Sequence, residues 1–496
     1  MTLPDYAVIA VYAGLTLAIG IRAGRGHQRA SDLALGGRAL PTWAVLFSMV
    51  ATELSAATFI GVPHAAYAGN WAYLQLAFGA LAGKLVLGLY VIPLYHRAGC
   101  ITVYGLLEGR FGPTTRRTAA IAFAGGRILA SGVRLFIAAL AFAAVTGLDV
   151  YAAIAVCGGI AGSYTLVGGI RSVVWTDVLQ GVVFVAAALA ILVSLSLHPL
   201  GGLAEIARWA VDEGRMQVFQ LSPLVALADA RPFAVGLVGG FFLTLATHGT
   251  DYDMVQRLLA ARTGRAGGRA LIGSALLNFP LTALFLFIGT GIAFAYRQPP
   301  AYDISDAVRI LPLFALHELP AGARGLLFSG LFAAAMSSFD SAVCAIATTW
   351  SVDVLREPKD EIRLLRRLRL ASVGCSVALL IAALGIARYH AAVFQGAAAD
   401  ASVGFGLVDL ALSAMTLLYG GLLGIFALAL LSGRRGSDAS AVAGLAAGAL
   451  VGAALFLHPL IAGEPGRVLI AWPWWIPISA TVAFGVAASR SRRESV

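Results

Sequence analysis

Charge is what this 496-residue chain has least of: 12% of its residues are charged, against 59% hydrophobic and a mean hydropathy of +0.85. That leaves too little polar surface for a soluble protein. Cysteine is scarce as well. Cys100, Cys157, Cys344 and Cys375 lie far apart with no CxxC pair, so neither a disulfide framework nor a thiolate metal site is indicated. No GxxxxGK[ST] loop is present to cradle phosphates, which disfavours an ATP-driven pump, and the eight histidines form no HExxH pair. No soluble output domain accompanies the apolar segments, so a membrane enzyme or signalling subunit would lack its machinery. The net charge of +10 could point to nucleic acid, yet the basic residues sit in short gaps between apolar runs rather than in a stripe, and topology explains them better.

What fills the chain is long apolar runs. Thirteen spans are predicted, at about 5–21, 42–62, 71–95, 118–146, 149–168, 173–196, 233–250, 269–296, 320–350, 368–387, 404–432, 439–458 and 471–488. The first follows Asp5 rather than a basic segment, and GRGHQRA after it gives no cleavage site, so it is read as a retained helix. With the N-terminus outside, 24 of the 35 Lys+Arg fall on one side and eight on the other, which orients the chain N-out, C-in. The fold class predicted is therefore an all-α polytopic protein of the cytoplasmic membrane.

Few charges enter the spans. For Lys84 and Arg127, near span ends, snorkelling is the plainer reading. Arg134 lies about sixteen residues into its helix, too deep to snorkel, and an inward-facing role is expected. The acids within spans are Glu53, Asp177 and Asp340.

Three stretches carry chemistry. FSMVATELSAATFIGVP interrupts the second span with Thr52, Glu53, Ser55, Thr58, Gly61 and Pro63, a pattern expected of a broken helix whose carbonyls can bind an ion. The ninth span contains FSGLFAAAMSSFDSA, which places Ser337, Ser338, Asp340 and Ser341 within about a turn, an oxygen-rich patch of the kind hard cations want. For both, the alternative is hydroxyls bonded back to the preceding turn. In GGIRSVVWTDVLQ, Asp177 enters an apolar helix after a tryptophan, as an interfacial acid or an ion ligand.

The stretches SMVATELSAATFIG, YTLVGGIRSVVWTDVLQ and GLLFSGLFAAAMSSFDSA, their spacing, and the GGRALPTW segment resemble the sodium:solute symporter family, also called the sodium/glucose cotransporter family. GVPHAAYAGNW and AVTG look closest to the branch carrying monocarboxylates, vitamins and iodide, and are similar to bacterial sialic acid carriers. The resemblance implies a LeuT-type 5+5 inverted repeat: a first helix and loop at 1–40, repeat one at 41–197, repeat two at 232–432 and two further helices at 433–496. It implies sodium as coupling ion, held by the carbonyls of Ala51, Leu54 and Ala334 and the hydroxyls of Ser337 and Ser338. A second cation would take Asp177, Ser337 and Ser341. Asp340 stands where relatives with that site have serine, so a second sodium, a proton or neither is open there.

The solute is expected beside the broken helix, at Glu53, Ser55 and Thr58, with Gln75 and Arg134 as additions. Sugar carriers of the family have asparagine and glutamine where this chain has Glu53 and Thr58, which speaks against a galactose-like site. Arg134 would hold a carboxylate through two charge-assisted bonds; its alternative partner is Glu53. Energetics adds a constraint. A sodium ion entering down about 100 mV gains roughly 2.3 kcal/mol, and a tenfold gradient adds about 1.4. One-to-one symport of a monovalent anion is electroneutral and keeps only the second amount, so a concentrating anion carrier needs two cations. The sequence thus predicts a symporter importing a small organic anion by alternating access, without covalent chemistry and without a partner protein. The competing reading is a sodium- or proton-coupled carrier of a neutral solute.

Overall fold

The computed structural model describes residues 1–24, 30–222, 227–297, 310–356, 360–394, 407–461 and 469–490. Among them it is helical throughout, with no strand and one isolated bridge between Leu40 and Ala261. Of the loop arginines and lysine in the charge count, Arg25, Arg29, Arg309, Lys359, Arg467, Arg492 and Arg493 lie outside the described residues.

Helix α1 spans Leu3–Gly24 and α2 Ala30–Leu35. The second predicted span is two helices, α3 at Thr42–Glu53 and α4 at Ala56–Ala68, bent by 55° across Leu54 and Ser55. Leu54 leaves the helical region at ψ 69°, so the break expected from the run of small and polar residues is present. Next come α5 at Gln75–Val86, a π-helical turn at Leu87–Val91, α6 at Ile92–Ala98, α7 at Tyr104–Arg110 and α8 at Pro113–Thr146. The spans predicted at 149–168 and 173–196 run on as α9, Val150–Ser196, interrupted only at Gly169. Gly169 has φ +56°, and a Cβ there would lie 2.7 Å from the Leu33 carbonyl, so both backbone and space require glycine.

The loop 197–232 holds a short helix, α10 at Leu203–Asp212. A second bent span follows that the sequence did not reveal: α11 at Phe233–Gly249 and α12 at Tyr252–Leu259 meet at 63°. The remaining helices are α13 at Gly264–Ala295, α14 at Ile310–Glu318, α15 at Ala323–Thr349, α16 at Glu361–Phe394, α17 at Leu407–Leu431, α18 at Asp438–Ile461 and α19 at Trp475–Ala488. Among the described residues, eight helices are long and apolar enough to cross a membrane, or ten if each bent pair counts as one span; Val150–Gly162 and Thr416–Leu431 are shorter apolar helices.

Large apolar side chains such as Leu89, Tyr90, Ile381 and Leu450 stay exposed on the outer helix faces, a surface suited to lipid. Inside, close packing rests on small residues. A Cβ on Gly79 of α5 would stand 2.2 Å from the Leu237 carbonyl, and one on Gly240 of α11 would stand 2.3 Å from the Leu76 carbonyl, so these helices touch backbone to backbone. Helix α15 is buried along nearly its whole length and packs on α9, α8, α1 and α3. Asp5 of α1 accepts from the amides of Gly322 and Gly325 at the start of α15, at 2.7 and 3.1 Å, satisfying donors that a helix end otherwise leaves open.

Candidate functional site

Both helix breaks free backbone carbonyls, and the protein treats them differently. At the second break, Tyr95 Oη donates to the Gly249 carbonyl and Tyr104 Oη to the Thr250 carbonyl, each at 2.9 Å. At the first break the Thr58 hydroxyl bonds the Glu53 carbonyl at 3.2 Å. The first break also opens onto a cavity of about 200 Å³, several times the roughly 30 Å³ that a liquid water occupies.

Four of the five predicted solute residues line that cavity: Glu53, Ser55, Thr58 and Arg134. Gln75 does not. Its side-chain nitrogen donates to the carbonyls of Ala72 and Arg231, and its oxygen accepts from the Gln220 amide, so it ties α5 to the loop before α11. The apolar walls include Leu76, Ala80, Leu243 and Met254.

Glu53 is the centre of a polar cluster that sequence reasoning missed. Lys84 Nζ donates to its two oxygens at 2.8 and 2.6 Å and to Ser274 Oγ at 3.0 Å. Asn278 Nδ2 donates to Oε2, and His248 Nε2 lies 3.0 Å from Oε1. Because the Glu53 carboxylate is an acceptor, Nε2 carries the hydrogen toward it, and on the other side of the ring His248 Nδ1 lies 2.8 Å from Thr247 Oγ1. Lys84 is therefore not a snorkelling lysine. It is buried at 2% exposure because an acid of another helix neutralises it, and Glu53 accordingly pairs with Lys84, not with Arg134.

A second polar system lies deeper and joins six helices. Asp177 of α9 accepts Ser48 Oγ of α3 and Ser337 Oγ of α15, each at 2.6 Å, and Arg257 of α12 reaches its Oδ2 from 3.2 Å. Arg257 also bonds Asp253 Oδ1 at 2.7 Å. Arg127 of α8 spans Asp253 and Asp251, and Tyr419 Oη of α17 donates to Asp251 at 2.5 Å. Arg127, Arg257 and the three aspartates have no exposed side-chain surface. The snorkelling reading of Arg127 is thus corrected, and Arg257, one of the 24 basic residues counted in loops on the more basic side, is buried as well: both are held inside by carboxylates, the arrangement that makes a buried guanidinium tolerable. The signal available was the run TDYDMVQR directly after an apolar span, two acids and an arginine at helical spacing.

The predicted sodium residues sit at the meeting of the two systems. Ala51 and Leu54 flank the first break, and Ala334, Ser337 and Ser338 lie on α15, which packs on α3 and α4. Ser338 Oγ is buried and makes no hydrogen bond, so back-bonding to its own helix does not account for it. The residues assigned to a second cation are only partly gathered: Ser337 is on Asp177, while Ser341 Oγ turns to Asp253 Oδ2 at 3.3 Å. Asp340 is buried beside them. All four cysteines are free thiols.

With this geometry in hand, the chain's relatives can be compared. Against solved structures it superposes on a substrate-bound, outward-open Na+-coupled sialic acid symporter with TM-score 0.84, 23% identity and 99% of both chains covered. It also superposes on a nucleobase-cation-symport-1 family transporter with TM-score 0.55, 16% identity and 92% of each chain. These likenesses show the LeuT-type fold. In sequence it is 27% identical over 384 residues to a sodium/sialic acid symporter of Aliivibrio fischeri, covering 77% of this chain and 75% of that one. It is 28% identical over 442 residues to the human sodium/iodide cotransporter (86% and 65%), and 26% over 466 residues to human sodium-coupled monocarboxylate transporter 1 (92% and 74%). The model of the sodium:solute symporter family matches residues 34–426, and the chain accordingly belongs to the sodium:solute symporter family, multi-pass membrane proteins that couple sodium to the movement of a solute.

Proposed function

We propose that the solute is a small organic carboxylate, imported with sodium by alternating access and released unaltered. The observation that carries this reading is Arg134 in the wall of the cavity at the first helix break, with the cavity's acid, Glu53, matched by Lys84. A guanidinium in that wall, where the acid is already paired, suits an anion. The relatives' names include carriers of sialic acid and of monocarboxylates, both carboxylates.

Sodium belongs at the first break, on the carbonyls of Ala51, Leu54 and Ala334 and the hydroxyls of Ser337 and Ser338. What supports this site over the second break is that tyrosine hydroxyls already take the carbonyls there, whereas Ser338 Oγ is a buried oxygen with no hydrogen bond. Charge supports a second cation nearby. Three buried acids, Asp177, Asp251 and Asp253, are bonded to two arginines, Arg127 and Arg257, an arrangement that suits a further monovalent cation. The repeats at 41–197 and 232–432 each open on a bent span, as an inverted repeat around a central site would have them. The arginine distribution supports the N-out, C-in orientation.

The test is thermal stabilisation of the purified protein by a panel of carboxylates, sugars and amino acids, with sodium and with choline in its place. Carboxylates that stabilise only with sodium are the expected result; stabilisation by neutral sugars alone refutes the anionic reading.

A further inference from the structure

A basic surface lies apart from both the solute cavity and the proposed sodium residues. On the side that the arginine distribution assigns to the cytoplasm, a cavity of about 350 Å³ lies between the start of α8 and the π-helical turn Trp350–Val354 that ends α15. Three arginines and two acids line it. Arg116 answers both acids, Glu108 at 2.5 Å and Asp353 at 2.6 Å. Arg117 and Arg356 remain in the lining, both exposed and without a carboxylate partner among the described residues. Arg356 stands at φ +59°, a backbone region that glycine enters more easily, so the position keeps its side chain against a conformational cost.

The helix faces that lead away from this cavity are apolar. On α16, Leu370, Val373, Val377 and Ile381 are exposed at helical spacing and form one stripe, while Leu364 and Leu368 on the opposite side are buried. Arg366 and Arg369, also exposed, continue that stripe toward the start of the helix. On α8, which packs on α16, exposed Ile121 stands one turn beyond Arg117. Arg367 Nη1 donates to the Arg356 carbonyl at 3.2 Å, which holds the first turns of α16 beside the cavity. Two neighbouring helices thus each carry an exposed apolar face that ends in exposed arginine. An arginine one turn below a lipid-facing side chain lies at the depth of the lipid phosphates, where basic residues attract anionic lipid. We propose that this cavity is the headgroup site of an anionic phospholipid of the cytoplasmic leaflet. Arg117 and Arg356 hold the phosphodiester, Arg366 and Arg369 lie beside it, and the acyl chains run along α8 and α16. Guanidinium forks suit a phosphate through paired charge-assisted bonds. A soluble anion would use the arginines and leave the apolar stripe unused. The proposal is independent of the solute and takes only the choice of leaflet from the N-out, C-in orientation.

The experiment titrates the full-length purified protein, in micelles of a neutral detergent, with phosphatidylglycerol or with phosphatidylcholine of the same acyl chains. Retained lipid is read by native mass spectrometry and stabilisation by the shift in Tm; in micelles neither depends on which way the chain lies in a membrane. Wild type is compared with the double variant Arg117→Gln, Arg356→Gln and with Arg265→Gln, which removes an exposed arginine at the start of α13. The expected result is that wild type and Arg265→Gln hold phosphatidylglycerol on the order of tenfold more tightly than phosphatidylcholine and are stabilised by it, and that the double variant loses most of this preference. Equal binding of the two lipids by wild type overturns the proposal. So does an undiminished preference in the double variant, or an equal loss in Arg265→Gln, since either makes the attraction a property of the whole basic surface. Stabilisation by glycerol 3-phosphate that matches that by phosphatidylglycerol overturns the lipid assignment in favour of a soluble anion. If the double variant fails to fold, the wild-type comparison still decides whether anionic lipid is preferred, and Arg356→Gln alone decides whether the cavity is where it binds.

Discussion

Lys84→Met is the substitution that most directly tests the polar cluster at the first helix break. In wild type the Lys84–Glu53 pair is closed at 2.6 Å with the lysine 2% and the glutamate 14% exposed, so little solvent is available to take over if one partner goes. Removing one member of a buried pair costs about 3–5 kcal/mol, most of it the charge left behind. Here Glu53 would keep Asn278, Ser274 and His248 around it, which places the expected loss near the lower end, at about 3 kcal/mol. The double substitution Lys84→Met with Glu53→Gln removes the stranded charge and keeps an amide that can still meet Asn278 and His248. It should recover about 2 kcal/mol of that loss, a coupling expected only of residues in contact. Denaturant unfolding in detergent micelles, run on wild type, both singles and the double, completes the cycle. Arg134→Ala serves as the control, since removing Arg134 takes nothing from the Lys84–Glu53 contact: placed on that background, the coupling should be unchanged. A Lys84→Met protein as stable as wild type, or a double mutant whose losses simply add, would refute the ion-pair argument.

Other expectations are more direct. Ser337→Ala and Ser338→Ala should each shift sodium activation of uptake to higher concentration while the protein stays folded, because each removes one oxygen ligand and little volume; unaltered sodium dependence in both would remove the site from these serines. Asp177→Asn should make uptake less steep in sodium and lower the charge moved per solute, and a wild-type Hill slope would reduce Asp177 to a structural acid paired with Arg257. Arg134→Lys should rescue carboxylate binding poorly relative to Arg134→Ala, because the two-pronged fork is lost; full uptake by a folded Arg134→Ala protein would return the solute to unknown. Gly240→Leu should abolish accumulation of folded protein, since even a Cβ there meets the Leu76 carbonyl at 2.3 Å.

Much of the architecture was legible because apolar run length is a strong signal in membranes. Each of the thirteen predicted stretches has a helix in the structure where it is described, and the break at Leu54–Ser55 followed from small and polar residues packed into one span. The break after Gly249 was not legible, because GFFLTLATHG reads as an ordinary apolar end and the polar TDYDMVQR beyond it reads as a loop. Only the fold shows that Tyr252–Ala261 is buried, with Arg257 needed by Asp177 80 residues earlier in sequence. The site divides in the same way. Glu53, Ser55, Thr58 and Arg134, expected at the solute site, line the cavity, whereas Lys84 was read as a snorkelling charge and His248, Ser274 and Asn278 were missed. Each is a lone polar residue in an apolar helix, and such a residue declares its role only when its partner on another helix is known. Gln75 failed for the converse reason, its apparent inward position being spent on the backbone of a distant loop.

The buried chain of acids and arginines bears on how the protein is made as well as on how it works. Arg127 finds Asp251 only 124 residues further along the sequence. At about 5–20 residues per second, a ribosome takes roughly 6–25 s to supply that distance. For that interval α8 holds a guanidinium in an apolar setting with no carboxylate to meet it, at an insertion cost of about 2.5–3.5 kcal/mol near the helix centre. Asp177 of α9 waits likewise for Arg257. The N-terminal half therefore leaves the ribosome with two buried charges unmatched, and the arrival of α12 supplies the partners of both. Final assembly of the bundle is gated by this one element, so a chain stopped before residue 251 is expected to be held by the insertion machinery or degraded, not to persist as a half-built bundle.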